Sequence, residues 1–196
     1  MKHRLFICLA ASSLLLTGCS AIREVTENTE PAYESSVTIG HDVTIDSIDP
    51  QLLLFNNTDT LSSRGLYYAT WVIGDGVPYE NSDGATIDLY DAQLYFLLSE
   101  ANSADSAQQS LDSWLSSANE NYNISESSQV TCAGLDYTFI TYTVDDEESA
   151  YDRGVSAFTV VGTDAACIEL TAIPDFDGDL KEILTSFLEN CSFAKD

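Results

Sequence analysis

The sequence predicts an α+β domain: a curved antiparallel sheet, its C-terminal part a four-strand meander, packed by two amphipathic helices. Two observations predict it. Apolar residues recur at three- and four-residue spacing from Ala104 to Ala118 and again from Leu180 to Leu188, the period of a helix face. Elsewhere β-branched and aromatic segments alternate with short turns rich in Gly, Asn and Asp.

Taken in order, Val37, Ile39, Val43 and Ile45 alternate, which predicts one or two short strands. Leu52 to Phe55 is a short apolar run closed by the polar Asn56-Asn57-Thr58-Asp59. Leu66 to Ile73 reads as a strand. Gly74 to Gly84, with three Gly and one Pro, reads as a loop. Ile87 to Leu98 is extended, with a bend near Asp91. The first helix starts at Ala104 behind an N-cap at Ser103 or Asn102 and carries Ala107, Leu111, Trp114 and Ala118 on one face.

Two hairpins follow. Gln129–Cys132 and Leu135–Val144 meet at Ala133-Gly134, and Val155–Val161 and Ala165–Ile173 meet at Gly162-Thr163-Asp164. Pro174 ends the last strand. The second helix spans about Gly178 to Asn190, and Asp179 and Glu182 stand at capping-box spacing.

The chain has 196 residues, 44% of them hydrophobic, which suits one folded domain and is too apolar for disorder. Its 7 basic and 32 acidic side chains give a formal net charge of −25. Nucleic acid is therefore no partner, since a polyanion is bound by Lys and Arg that displace its counterions.

The N-terminus differs from the rest. Lys2 and Arg4 precede twelve mostly apolar residues, Leu5 to Leu16, too short to span a bilayer and the right size for the apolar region of a signal peptide. The stretch ends Leu16-Thr17-Gly18-Cys19, which resembles the lipobox of bacterial lipoproteins. The resemblance implies that residues 1–18 are a removable signal peptide and that Cys19 carries the lipid. It places the mature protein on the extracytoplasmic face of the cell membrane, or on the outer membrane of a diderm host because Ser20 follows the Cys. Loss of residues 1–18 leaves 5 basic against 32 acidic side chains, a net charge of −27. Lipid rather than charge must then hold the protein to its membrane. Residues 19–36 are polar and acidic and read as a tether; residues 37–196 form the single domain.

The order of helix, Cys132-Ala-Gly-Leu-Asp-Tyr, meander and closing helix ending at Ser192-Phe193 resembles the PsbP-like α/β/α sandwich over residues 85–193. The resemblance implies a binding or assembly role without catalysis. It transfers no functional residue.

The composition narrows the chemistry. The only histidines are His3, within the signal segment, and His41, which has no motif around it. Ser-His-Asp or Cys-His chemistry would rest on His41 alone. Neither HExxH nor a glycine-rich phosphate loop is present. The chain is read as a non-enzyme without catalytic residues: a lipid-anchored binding or assembly module that meets an envelope protein or a glycan. Abundant carboxylates keep a two-carboxylate hydrolase as a lesser alternative.

Two surfaces are candidates for binding. Tyr67, Tyr68, Trp71 and Tyr79 could anchor a partner, with Tyr79 the most exposed because it lies in the Gly74–Gly84 loop; sheet core is the competing assignment for the other three. Asp75, Glu80 and Asp83 in the same loop could hold calcium, making a calcium-dependent or carbohydrate-binding lipoprotein the second reading and calcium the one cofactor considered. Asp175, Asp177 and Asp179 resemble a calcium loop less than a turn followed by a helix cap.

Cysteines other than Cys19 in the mature chain are Cys132, Cys167 and Cys191. In the meander Cys132 and Cys167 sit at one end of the sheet with two strands between them, beyond disulfide reach. The last helix runs back to that end, so a Cys132–Cys191 bond with Cys167 free is the expected pairing, and three free thiols the alternative.

Overall fold

The computed structural model describes residues 30–40, 43–58, 65–80, 84–145 and 149–193. The elements are β1 (Ser36–Ile39), β2 (Val43–Asp46), β3 (Leu53–Thr58), β4 (Leu66–Ile73), β5 (Val77–Glu80), β6 (Thr86–Leu89), β7 (Ala92–Ser99), α1 (Ala104–Asn121), β8 (Asn123–Cys132), β9 (Leu135–Thr143), β10 (Arg153–Val161), β11 (Asp164–Ala172), α2 (Leu180–Glu189) and β12 (Cys191–Phe193). Of these residues 52% lie in strands and 19% in helices. The expected balance of a four-strand meander with two helices is therefore corrected to a mostly β architecture.

The main sheet has seven antiparallel strands in the order β3-β4-β7-β11-β10-β9-β8. The expected meander, β8 to β11, is only one side of it. β7 pairs with β11 over Ala92–Ser99 and Ala165–Ala172, and β4 then pairs with β7. The reason lies in β11, whose residues after Asp164 are all buried. A strand so placed needs main-chain partners on both sides, and the meander supplies one.

Side-chain alternation divides the core between two faces. One face presents Trp71, Leu94, Phe96, Tyr137, Ala157 and Ile168, among others, to Leu184, Phe187 and Leu188 of α2 and to a small β1-β2-β12 sheet carrying Ile39, Val43 and Ile45. The other face carries Ile140, Tyr142, Phe158, Ala165 and Cys167 beneath Ala107, Leu111 and Ala118 of α1. The helices thus cover opposite faces.

Local signals operate as their chemistry demands. Ser103 caps α1, its hydroxyl accepting from the Ser106 N–H at 3.2 Å. Asp179 caps α2, accepting from the Lys181 and Glu182 N–H groups at 3.0 Å each, so it serves as a helix cap. Ala133 and Gly134 have φ of 50° and 81°, the left-handed pair that a two-residue hairpin turn needs. β12 was not expected from sequence; Cys191–Phe193 pairs with β2 immediately after α2.

Ala32 is already held to the domain. Its N–H donates to the Leu54 carbonyl at 3.0 Å and its own carbonyl accepts from the Leu54 N–H at 2.7 Å. Cys19 and His41 lie outside the described residues.

Candidate functional site

The segment expected as a loop from Gly74 to Gly84 contains a strand. β5 pairs with β6 to make a separate two-stranded ribbon, joined to the main sheet through Ile73 and Ala92. Its base is tightly built. Gly74 has φ +91°, and a Cβ there would run into the Asp91 carboxyl. The Asp91 N–H donates to the Ile73 carbonyl at 3.0 Å, and its carbonyl accepts from the Ile173 N–H at 3.0 Å.

The register gives the ribbon two unlike faces. Val77 lies opposite Leu89 and Tyr79 opposite Ile87, so these four share one face; Pro78, Glu80, Thr86 and Asp88 share the other. Val77 is 60% exposed and Ile87 37%, whereas Tyr79 is partly covered. Val77 rather than Tyr79 is the most open apolar side chain here. Asp75, Glu80, Asp88 and Asp91 are exposed, Glu80 and Asp88 on the opposite, polar face.

The other face of the ribbon base meets the N-terminal segment through Tyr90, whose ring would lie 3.1 Å from a Cβ on Gly76, beside Asp88. Tyr90 follows β6 and meets Phe55 edge-on, ring centres 5.9 Å apart. Phe55 stands at the irregularity in β3 and is 40% exposed. Its neighbour Leu54 bridges Ala32, and Tyr33, 48% exposed, donates its hydroxyl to the Ile48 carbonyl at 3.1 Å. Tyr33, Phe55, Val77 and Ile87 are the large hydrophobic side chains exposed among the described residues.

Three of the expected partner-binding aromatics are elsewhere. Tyr67, Tyr68 and Trp71 are buried, Trp71 completely, its ring edge-on to Phe187 at 4.9 Å. β4 is buried on both faces because strands flank it and side chains pack above and below, so its aromatics build the core and cannot meet a partner. Of the expected metal set, Asp75 and Glu80 are exposed on the ribbon and Asp83 lies outside the described residues. Among the described residues no three His, Cys, Asp or Glu are placed to hold one metal ion.

Cys132, Cys167 and Cys191 are buried and in no disulfide, so the expected Cys132–Cys191 bond is not formed. The two do lie on the same face and next to the same helix. Each is satisfied separately: Cys132 Sγ donates to the Thr185 carbonyl at 3.9 Å and Cys191 Sγ to the Phe187 carbonyl at 3.6 Å. Burial pushes the Cys191 thiol up to about 12, with Cys132 adding to the shift.

The second polar feature was missed in the sequence. Glu169, only 2% exposed, sits in the middle of β11 on the α1 face. The Tyr142 hydroxyl and the Ser156 hydroxyl, the latter at 3.2 Å, both donate to its Oε1. Burial raises its carboxyl above the usual range, against the opposing pull of the Tyr142, Ser156 and Tyr122 hydroxyls. Tyr122, at the end of α1, stacks on Tyr142 with ring centres 4.1 Å apart. Tyr95 has its hydroxyl pushed up by burial first and then by Tyr151 and Glu169. Burial raises Tyr151 to about 12 against a lowering backbone hydrogen bond at Tyr90, with the charges of Tyr90 and Asp91 adding to the rise. The available signal was the acid itself, at the centre of an otherwise apolar strand.

No family model matches the chain, and no curated protein does. Solved structures similar to it include a protein from Bacteroides thetaiotaomicron at 13% identity and a TM-score of 0.49, covering 79% of this chain and 46% of that one. The chain thus spans less than half the length of that relative. A second is the cyanobacterial PsbP protein CyanoP from Synechocystis sp. PCC 6803, at 9% identity and a TM-score of 0.39, covering 86% of this chain and 99% of that one. A PsbP-type structure is therefore among the neighbours of this chain, at low identity.

Proposed function

We propose that the protein is a lipid-anchored, non-catalytic module on the extracytoplasmic side of a bacterial cell envelope, and that it binds an envelope protein through the β5–β6 ribbon. The observation that carries the reading is the apolar ribbon face: Val77 and Ile87 open to solvent on a paired element that projects from an otherwise acidic domain. Burying a side chain of this size contributes about 1.5–3 kcal/mol, so a few such residues supply most of a specific affinity. The rigid pairing of β5 with β6 keeps the entropy lost on binding small. The Leu16-Thr17-Gly18-Cys19 motif supports the anchored location.

The test compares full-length protein with a Val77→Asp, Ile87→Asp variant in cells, by cross-linking and recovery from solubilised envelope. The expected result is loss of a specific adduct with no change in thermal midpoint. Equal adduct yield from both forms would move the site elsewhere. Turnover of a glycan or peptide, abolished by one Asp or Glu substitution in a folded variant, would overturn the non-catalytic reading. Cys19→Ala protein is expected to escape lipoprotein processing and detergent partitioning; normally processed, membrane-bound Cys19→Ala protein would contradict the anchor.

A further inference from the structure

We infer that the hollow beneath the last turn of α1 is a binding site for a primary ammonium group, carried by a small alkylamine or by a lysine side chain. The site is separate from the ribbon and does not depend on it.

Its geometry leads to a buried acid. Ser156 and Phe158 of β10, both buried, form the floor, and half-buried Trp114, Ser117, Asn121 and Tyr122 form the mouth. The enclosed space is about 10 Å³, room for the centre of one water-sized group, which an ammonium head matches. Ser156 donates to Glu169 Oε1 at 3.2 Å, and the Tyr122 hydroxyl is a hydrogen-bond partner of the same carboxyl. The hollow and Glu169 are therefore one hydroxyl apart.

Charge favours a cation there. Among the described residues the basic side chains are Arg153 and Lys181. Lys181 pairs with Glu126 at 2.7 Å, and strand alternation puts Arg153 on the other face of β10 from Ser156. Within the described residues Glu169 thus has hydroxyl donors and no counter-charge, and a buried carboxylate is costly without one. The last turn of α1 adds the negative end of a helix dipole and carries no basic residue of its own. Trp114, Tyr122 and Phe158 supply aromatic walls, which attract a cation and pack on its methylene stem. Calcium, which takes about six to eight oxygens, is poorly served by such walls.

Binding is coupled to a proton. The other titratable groups around Glu169 are phenols and a thiol: Tyr142 of β9, Tyr122 after α1, Tyr95 of β7 with Tyr151 beside it, and Cys167 on the same face of β11. Asp105, Asp112 and Glu120 of α1 are exposed. Phenols and thiols ordinarily ionise above the neutral range. A cation in the hollow therefore draws its counter-charge from Glu169, whose proton passes to the buffer, and binding tightens as pH rises.

The test titrates the full-length lipidated protein in neutral detergent by calorimetry, between about pH 5 and pH 8. Butylammonium and Nα-acetyl-lysine amide are the probes; tetramethylammonium and potassium chloride are the controls. The expected result is saturable binding of a primary amine that tightens with pH and releases protons. Tighter binding of the lysine derivative than of butylammonium identifies a protein side chain as the source, and the reverse a free amine. Glu169→Gln is expected to weaken binding by at least about tenfold and to remove its pH dependence. Trp114→Leu, which keeps Glu169 and its donors, should weaken it by about threefold. No saturable binding, the sign of a resident water only, overturns the inference. Equal binding of tetramethylammonium or potassium, or unchanged affinity in Glu169→Gln, does the same.

Discussion

The hydroxyl of Tyr142 donates a hydrogen bond to the carboxyl of Glu169 in the interior of the sheet. Twenty-seven residues separate the two in sequence, and β10 runs between their strands. Ser156, on β10, donates to the same oxygen. Glu169 therefore sits among hydroxyl donors in a dehydrated site.

This arrangement fixes the sign of a pH dependence. Burial raises the carboxyl in the folded state. Below the ordinary carboxylate range the group is protonated in both states and its contribution is fully present. As pH rises from the ordinary value through the raised folded value, the unfolded chain ionises first and that contribution is lost. The stability of Glu169→Gln relative to wild type is expected to grow with pH in that window, by up to about 1.4 kcal/mol per unit. Urea unfolding of both proteins between about pH 4 and pH 8 measures it. A difference that is flat, or that shrinks as pH rises, would show that the carboxyl is not raised.

Gly154 is set by the same pair. A Cβ on it would collide with the Tyr142 ring and come within 3.1 Å of the Leu170 carbonyl. Gly154→Ala is expected to cost about 1–3 kcal/mol by forcing the ring off Glu169. The pH-dependent gain of Glu169→Gln should be altered in that background. Unchanged stability in denaturant would mean that the ring yields freely.

Trp71 and Tyr79 separate core from surface. Trp71 is fully buried against Phe187, and Trp71→Ala is expected to cost about 3–5 kcal/mol. Trp71→Phe should cost less, because the indole N–H is buried without a partner and its removal leaves no orphan. Tyr79→Ala, on the ribbon, is expected to change stability by about 0.5 kcal/mol or less. Thermal midpoints of the three variants rank them directly.

The thiols give a chemical check on the core. In a soluble form lacking residues 1–19, three thiols per chain are expected to react after denaturation, from Cys132, Cys167 and Cys191. In the native protein the reaction should be slow, because all three are buried and burial raises the Cys132 and Cys191 thiols. One reactive thiol in the denatured, unreduced chain would show a bond between the other two.

Much of the local structure was legible in the residues. The spacing of Ala107, Leu111 and Ala118 locates α1, Asp179 caps α2, and Ala133-Gly134 turns β8 into β9. Each is a signal carried within a few positions of chain. Strand order is not of that kind. That β7 and β4 extend the meander, making a mostly β fold, follows from main-chain groups of β11 finding partners some seventy residues away. The same non-local pairing buries Tyr67, Tyr68 and Trp71, which composition alone leaves free to be surface or core. It also makes Glu169 exceptional: the sequence places an acid on one face of a strand, but only tertiary packing buries it, which raises its carboxyl, and brings the hydroxyls of Tyr142 and Ser156 to it as donors. The ribbon lies between these cases. Its turn residues mark an exposed excursion from the sheet, but the cross-strand register of Val77 with Leu89 and Tyr79 with Ile87 is what gathers its apolar side chains on one face.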